Sequence, residues 1–131
     1  MGGFGPAVRA ILSSANVAAI PVGAGATVYS KSFSLKFGDY FGIAYKAASG
    51  GAIDLTIQLE QSFDLPTTEG VADAAYVIPA TMADIHTNLA DANWHITSLS
   101  PVAMPYGRFK IVSAAGVANT LTIYLAAQES L

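Results

Sequence analysis

Over residues 53–63, Ile53, Leu55, Ile57, Leu59 and Phe63 fall on one parity, and Asp54, Thr56, Gln58, Glu60 and Ser62 on the other. Successive side chains of a β-strand point to opposite faces, so this alternation predicts a strand with one buried and one wet face. The pattern recurs. Tyr29, Phe33, Leu35 and Phe37 share a parity over 27–37, and Phe41, Ile43, Tyr45 and Ala47 share one over 40–48. Phe109 and Ile111 alternate with Arg108, Lys110 and Val112, and Leu121, Ile123 and Leu125 form the inner side of a last strand. Trp94, Ile96 and Leu99 suggest a strand that bends near Ser100-Pro101. Residues 8–12 read as a first strand or an arm.

Turn chemistry separates these runs. Ser49-Gly50-Gly51 supplies residues that accept positive φ, so 40–48 and 52–63 are expected to form a hairpin, with Gly38-Asp39 joining 27–37 to it as a meander. Pro66, Gly70 and Pro79 punctuate a long connection over 64–93. Within it, Thr81 and Asp84 resemble a capping box, and Met82, Ile85 and Leu89 could share a helical face, which predicts either a short helix near 82–90 or a loop crossing the sandwich.

At 131 residues the chain is one domain. Short antiparallel strands with one long connection predict an all-β fold, a single antiparallel β-sandwich of jelly-roll or immunoglobulin-like topology. Residues 26–131 form the sandwich, and 1–25 are an N-terminal arm or first strand whose removal is expected to leave the sandwich folded and weaken assembly. There is no cysteine, so stability comes from apolar burial and strand pairing.

Charge narrows the function. Charged residues are 11% of the chain, against roughly 25% in an average soluble domain. Interface cores are depleted of charge, so this composition points to surface buried against other subunits. Net charge is −3 with six Lys and Arg, which provides no basic face for a phosphate backbone, and no nucleic-acid partner is expected. The uncharged run 10–30 is interrupted by Pro21, Gly23 and Gly25, so it is read as strand, turn and strand rather than a membrane span. The first residues lack the basic region of a secretory signal.

A search for chemistry returns nothing built for catalysis. Gly23-Ala24-Gly25 precedes a strand pattern, not a helix, and reads as a turn rather than a phosphate loop. His86 and His95, nine positions apart, match no metal spacing even with Asp84 and Asp91 nearby, and are expected to be surface or hydrogen-bonded structural residues. Asp54 and Glu60 would stand about 20 Å apart on one strand, too far for paired-carboxylate hydrolysis. The expectation is no enzyme, no metal and no cofactor. Trp94, Tyr40, Tyr76, Tyr106 and Tyr124 could form a sugar-stacking platform. The competing reading puts Trp94 in the core and the tyrosines at subunit contacts.

The stretch LSPVAMPYGRFKIV (99–112), then Gly116, Asn119 and TLTIYL (120–125), resembles the C-terminal half of small β-sandwich structural proteins of tailed bacteriophages, including capsid decoration proteins and related virion components. There a proline-containing strand leads into an aromatic-x-Arg-hydrophobic-Lys strand, a Gly/Asn turn and a Thr-rich final strand. LEQSFD (59–64) resembles their strand ending in a Ser-x-Asp turn. The resemblance covers about half the chain and has no counterpart for residues 1–25. It implies a non-enzymatic structural virion protein, a decoration or stabilising subunit that forms a homo-oligomer, a trimer for instance, and binds a major capsid or other virion protein. Tyr40, Tyr124, Arg108 and Lys110 are the candidate interaction surface, with Arg108 and Lys110 pointing outward. A carbohydrate-binding or adhesin-like module is the alternative.

Overall fold

The computed structural model describes residues 8–11, 19–36 and 40–128. They form two antiparallel sheets packed face to face, with no helix among them, and hence none long and apolar enough to cross a membrane. The strands are β1 (Val8–Ile11), β2 (Ala19–Val22), β3 (Thr27–Tyr29), β4 (Phe33–Ser34), β5 (Tyr40–Ser49), β6 (Leu55–Ser62), β7 (His86–Leu89), β8 (His95–Ser98), β9 (Tyr106–Ser113) and β10 (Asn119–Gln128).

The first sheet runs β1-β10-β5-β8, with β2 lying end to end with β1 along the same edge of β10; the second runs β3-β9-β6-β7, with β4 continuing β3 along β9. If β1 with β2 and β3 with β4 are each counted as one interrupted strand, the chain changes sheet at every connection except β6 to β7. This strand order is that of a jelly roll, which selects between the two topologies expected.

Both sheets send their apolar parity inward. Ile43, Leu121 and Ile123 of the first sheet meet Ile57, Leu59 and Phe109 of the second, all buried. The alternation therefore located the inner faces of β5, β6, β9 and β10 correctly. The 1–25 stretch contributes to the same core: β2 pairs with β10, and Ile20 and Val22 are fully buried. β2 is therefore part of the sandwich, which moves the boundary expected at residue 26 toward the N-terminus. The Gly23–Ala26 reversal joins β2 to β3 as the expected turn, with the Ala26 N–H donating to the Gly23 carbonyl at 3.0 Å and Gly25 at a φ of 64°.

Several local expectations are corrected. The strands 40–48 and 52–63 are not a hairpin. β5 pairs with β10 and β8, while β6 pairs with β9 and β7. The Ser49-Gly50-Gly51 link instead carries the chain from one sheet to the other. Buried Asn119 holds this crossing, donating from Nδ2 to the Ala52 carbonyl at 2.9 Å and accepting from the Asp54 N–H at 3.2 Å. Likewise β3 pairs with β9, so no meander forms; Gly38-Asp39, its proposed link, lies outside the described residues.

Nor is 27–37 one strand. Tyr29 faces Lys110 and Phe33 faces Gly107, so four steps on one side match three on the other. The extra residue makes a bulge and reverses the parity. Ser30 satisfies it: its N–H donates to the Phe109 carbonyl, and its Oγ accepts from the Phe109 N–H, both at 2.9 Å. Phe33 and Leu35 then face the core, while Tyr29 turns to the outer side.

The helix near 82–90 does not form. Met82, Ile85 and Leu89 do pack on the core, but Met82 from a turn closed by its N–H on the Pro79 carbonyl, Ile85 from the bend after it and Leu89 from β7, the edge partner of β6. Asp84, the supposed capping residue, accepts from Gln58 Nε2 at 2.9 Å and Thr87 Oγ1 at 2.8 Å. At the end of β6 the alternation also fails. Gln61 takes the inward position, accepting from the N–H groups of Ala103 and Met104 and donating to the Pro101 carbonyl, and Phe63 is 74% exposed.

Candidate functional site: the outer face of the first sheet

The outward parity of the first sheet brings the exposed aromatic residues together. With Phe41, Ile43, Tyr45 and Ala47 turned inward, β5 presents Tyr40, Gly42, Ala44, Lys46 and Ala48 to the outside. By the same alternation β10 presents Thr122, Tyr124 and Ala126. The register sets Tyr124 beside Ala44, and Ala44 beside Ile96 of β8. Because Ala44 is small, a hollow remains between its two large neighbours. Trp94, just before β8, closes one side of it, with its ring centroid 6.0 Å from that of Tyr124 and the planes at 34°. A second hollow adjoins it, lined by Tyr40, Gly42, Ser98 and Ala126.

This face is wet and apolar at once. Ile96 is 85% exposed, Tyr40 57% and Trp94 52%. Lys46, whose ammonium lies 5.9 Å from the Trp94 ring centroid, is the single formal charge among the described outward side chains of β5, β8 and β10. Contiguous exposed apolar surface of this kind marks interaction sites in soluble domains, and aromatic residues without charge are the composition of interface cores.

The four residues expected to form an interaction surface do not come together. Tyr40 and Tyr124 lie on this face as their parity predicts, Tyr124 half-buried against Trp94. Arg108 and Lys110 belong to β9 in the other sheet. Lys110 is half-buried, and Arg108, expected to point into solvent, is fully buried. Its outward parity is real, but the 63–79 segment lies over that part of the second sheet. Arg108 Nε donates to Glu60 Oε1 at 2.8 Å and its Nη1 to the Val71 carbonyl at 2.6 Å. The guanidinium sits 4.1 Å from the Tyr29 ring centroid and 4.6 Å from that of Tyr76. Burial pushes the Tyr76 hydroxyl pKa up, opposed by its 2.9 Å hydrogen bond to Ser32 Oγ. Arg108 is thus a pin for the covering segment.

Trp94 is likewise corrected. It lies outside the core, because in β8 the residue that faces Tyr45 of β5 is His95, which leaves Trp94 and Ile96 on the outer side.

The two histidines meet, which spacing along the chain did not reveal. Tyr45 Oη lies 2.7 Å from His86 Nδ1, its ring stacks on His95 at 5.4 Å, and the His86 and His95 ring centroids are 4.9 Å apart. His95 Nε2 is 2.8 Å from Asp91 Oδ1. The grouping arises because β7 and β8 are facing edges of opposite sheets, a tertiary fact with no sequence signal. The chemistry here is that of a clasp. Burial, and secondarily the Asp91 charge, raise the Tyr45 hydroxyl pKa, which opposes its use as a nucleophile. The His95 hydrogen bond, and then the Asn93 N–H, hold the Asp91 carboxyl below its usual range. Among the described residues no three His, Cys, Asp or Glu are placed to hold a metal.

Compared with known proteins, the chain matches no family model and no curated protein sequence.

Proposed function

We propose that this protein is a non-enzymatic structural subunit of a virion, a decoration or stabilising component that associates with itself and with a capsid or other virion protein. The observation that carries the assembly role is the outer face of the first sheet, where exposed Trp94, Ile96 and Tyr40 and half-buried Tyr124 stand around Lys46, the single charge among the described outward side chains of β5, β8 and β10. Such a face suits a protein partner, since desolvating it costs little and offers aromatic anchors. The virion setting rests on the resemblance of 99–125 to phage structural proteins. Quantitative mass spectrometry of gradient-purified particles from cells making the protein is expected to find it there at fixed stoichiometry. Recovery only as free protein, outside any particle, overturns the proposal.

A sugar-binding reading draws on exposed Trp94 and half-buried Tyr124 beside it. The hollow beside these rings is lined by Ala44 and Ile96, with no ring of hydrogen-bonding side chains to orient hydroxyl groups, which favours the structural reading. Retention of defined sugars on a glycan array, lost in Trp94→Ala, would establish the sugar reading instead.

A further inference from the structure

We propose that the outer face of the first sheet is covered by the same face of a second copy of this chain, the two related by a two-fold axis. This deepens the assembly reading above and rests on it. The first argument is area. β10 and β5 are ten residues long, which at a rise of about 3.4 Å makes the face about 34 Å long. Four strand positions about 4.8 Å apart make it about 19 Å wide. With β8 four residues long and β1 and β2 together eight, each copy contributes roughly 500 Å², and a pair buries roughly 1,000 Å². That meets the approximately 1,000 Å² expected of a specific interface.

The second argument is charge. A two-fold contact sets a patch against itself, so any excess of one sign repels its own copy. Among the described outward side chains of β5, β8 and β10 the face carries only Lys46, whose ammonium lies 5.9 Å from the Trp94 ring centroid, so like charge meets like at one position alone. The third is relief. The projections Trp94, Ile96 and Tyr124 stand directly beside the hollows over Ala44 and over Gly42 and Ala126. Projection and hollow side by side on one patch is the arrangement that a two-fold rotation interlocks. Sheets stacked in this way pack about 10 Å apart, as the two sheets of one copy do. A flat face closed on its twin ends at two copies, which differs from the trimer that the phage resemblance implies.

The test is analytical ultracentrifugation of the full chain from about 1 to 100 µM, compared with Ile96→Arg and with Val77→Arg as a control. Ile96 is on the face and Val77 on the covering segment of the other sheet; both are exposed, so neither change should disturb the fold, which circular dichroism and thermal unfolding verify. Expected are a wild-type dimer with Kd of about 10 µM or tighter, at least about 100-fold weakening by Ile96→Arg, and none by Val77→Arg. A wild-type monomer at the highest concentration, or a stable trimer, overturns the two-fold pairing. An oligomer that Ile96→Arg leaves intact overturns this face as its site. Those failures are separate from failure of the virion proposal, which is read from particle composition alone.

Discussion

Truncating Arg108 to alanine is expected to damage the second sheet severely, and the reason lies in what remains after truncation. Glu60, its partner at 2.8 Å, is itself buried, so Arg108→Ala strands a carboxylate away from water. Breaking a buried pair by removing one member costs about 3–5 kcal/mol. Lost with it are the hydrogen bond to the Val71 carbonyl and the packing of the guanidinium between Tyr29 and Tyr76. Against a total stability of about 5–15 kcal/mol this is a large fraction, equivalent to a fall in Tm of roughly 10–20 °C. Arg108→Met combined with Glu60→Gln removes both charges with little change in volume, and is expected to recover most of the loss. Urea unfolding followed by far-ultraviolet circular dichroism measures both variants; Trp94, being exposed, is a poor fluorescence reporter. Limited proteolysis supplies a second readout, since Arg108→Ala releases the tether at Val71 and should speed cleavage within 63–79. A cost below about 1 kcal/mol for Arg108→Ala, or a double variant no more stable than the single one, refutes the account of Arg108 as a paired, buried pin.

Three further outcomes follow from other parts of the molecule. Asp91 has a folded-state pKa lowered by its hydrogen bond to His95, so its contribution is fully present above the ordinary carboxylate value of about 3.9 and is lost as pH falls through the folded value. Thermal unfolding at a series of pH values should therefore show Asp91→Asn less stable than wild type near neutrality, with the gap closing below about pH 4. A Cβ at Gly107 would stand 3.0 Å from Leu35 Cδ1 and 3.1 Å from Phe33 Cε1, so Gly107→Val should cost about 1–3 kcal/mol by urea unfolding, and an unchanged midpoint would contradict the packing described. Deleting residues 1–25 removes Ile20 and Val22 from the core, each worth about 1.5–3 kcal/mol, and calorimetry should find the cooperative transition lost or sharply lowered; an unshifted transition would show that β2 adds nothing to the sandwich.

The sequence by itself determined which side chains of the long strands face the core. The parity of β5, β6, β9 and β10 was legible because pleating is a local property: each backbone step reverses the side-chain direction, whatever the strand pairs with. Tyr40 and Tyr124 were placed on an outer face by the same rule. Where the backbone inserts a residue, as at Ser30–Ser32, or exchanges a side chain for a sealing amide, as at Gln61, the rule lapses and the parity of Tyr29 and Phe63 comes out reversed.

Only the tertiary structure decided which strands are neighbours. Every alternating strand offers the same ladder of N–H and C=O groups, so nothing in the alternation prevents β5 from pairing with β6; packing their apolar faces into one core separates them into opposite sheets. That arrangement brings His86 against His95, and places Arg108 under the 63–79 segment rather than in water. It also assembles Tyr40, Trp94, Ile96 and Tyr124, drawn from three separate stretches of chain, into one exposed face. Exposure depends on what else covers a sheet, which is a property of the whole fold and of no strand alone.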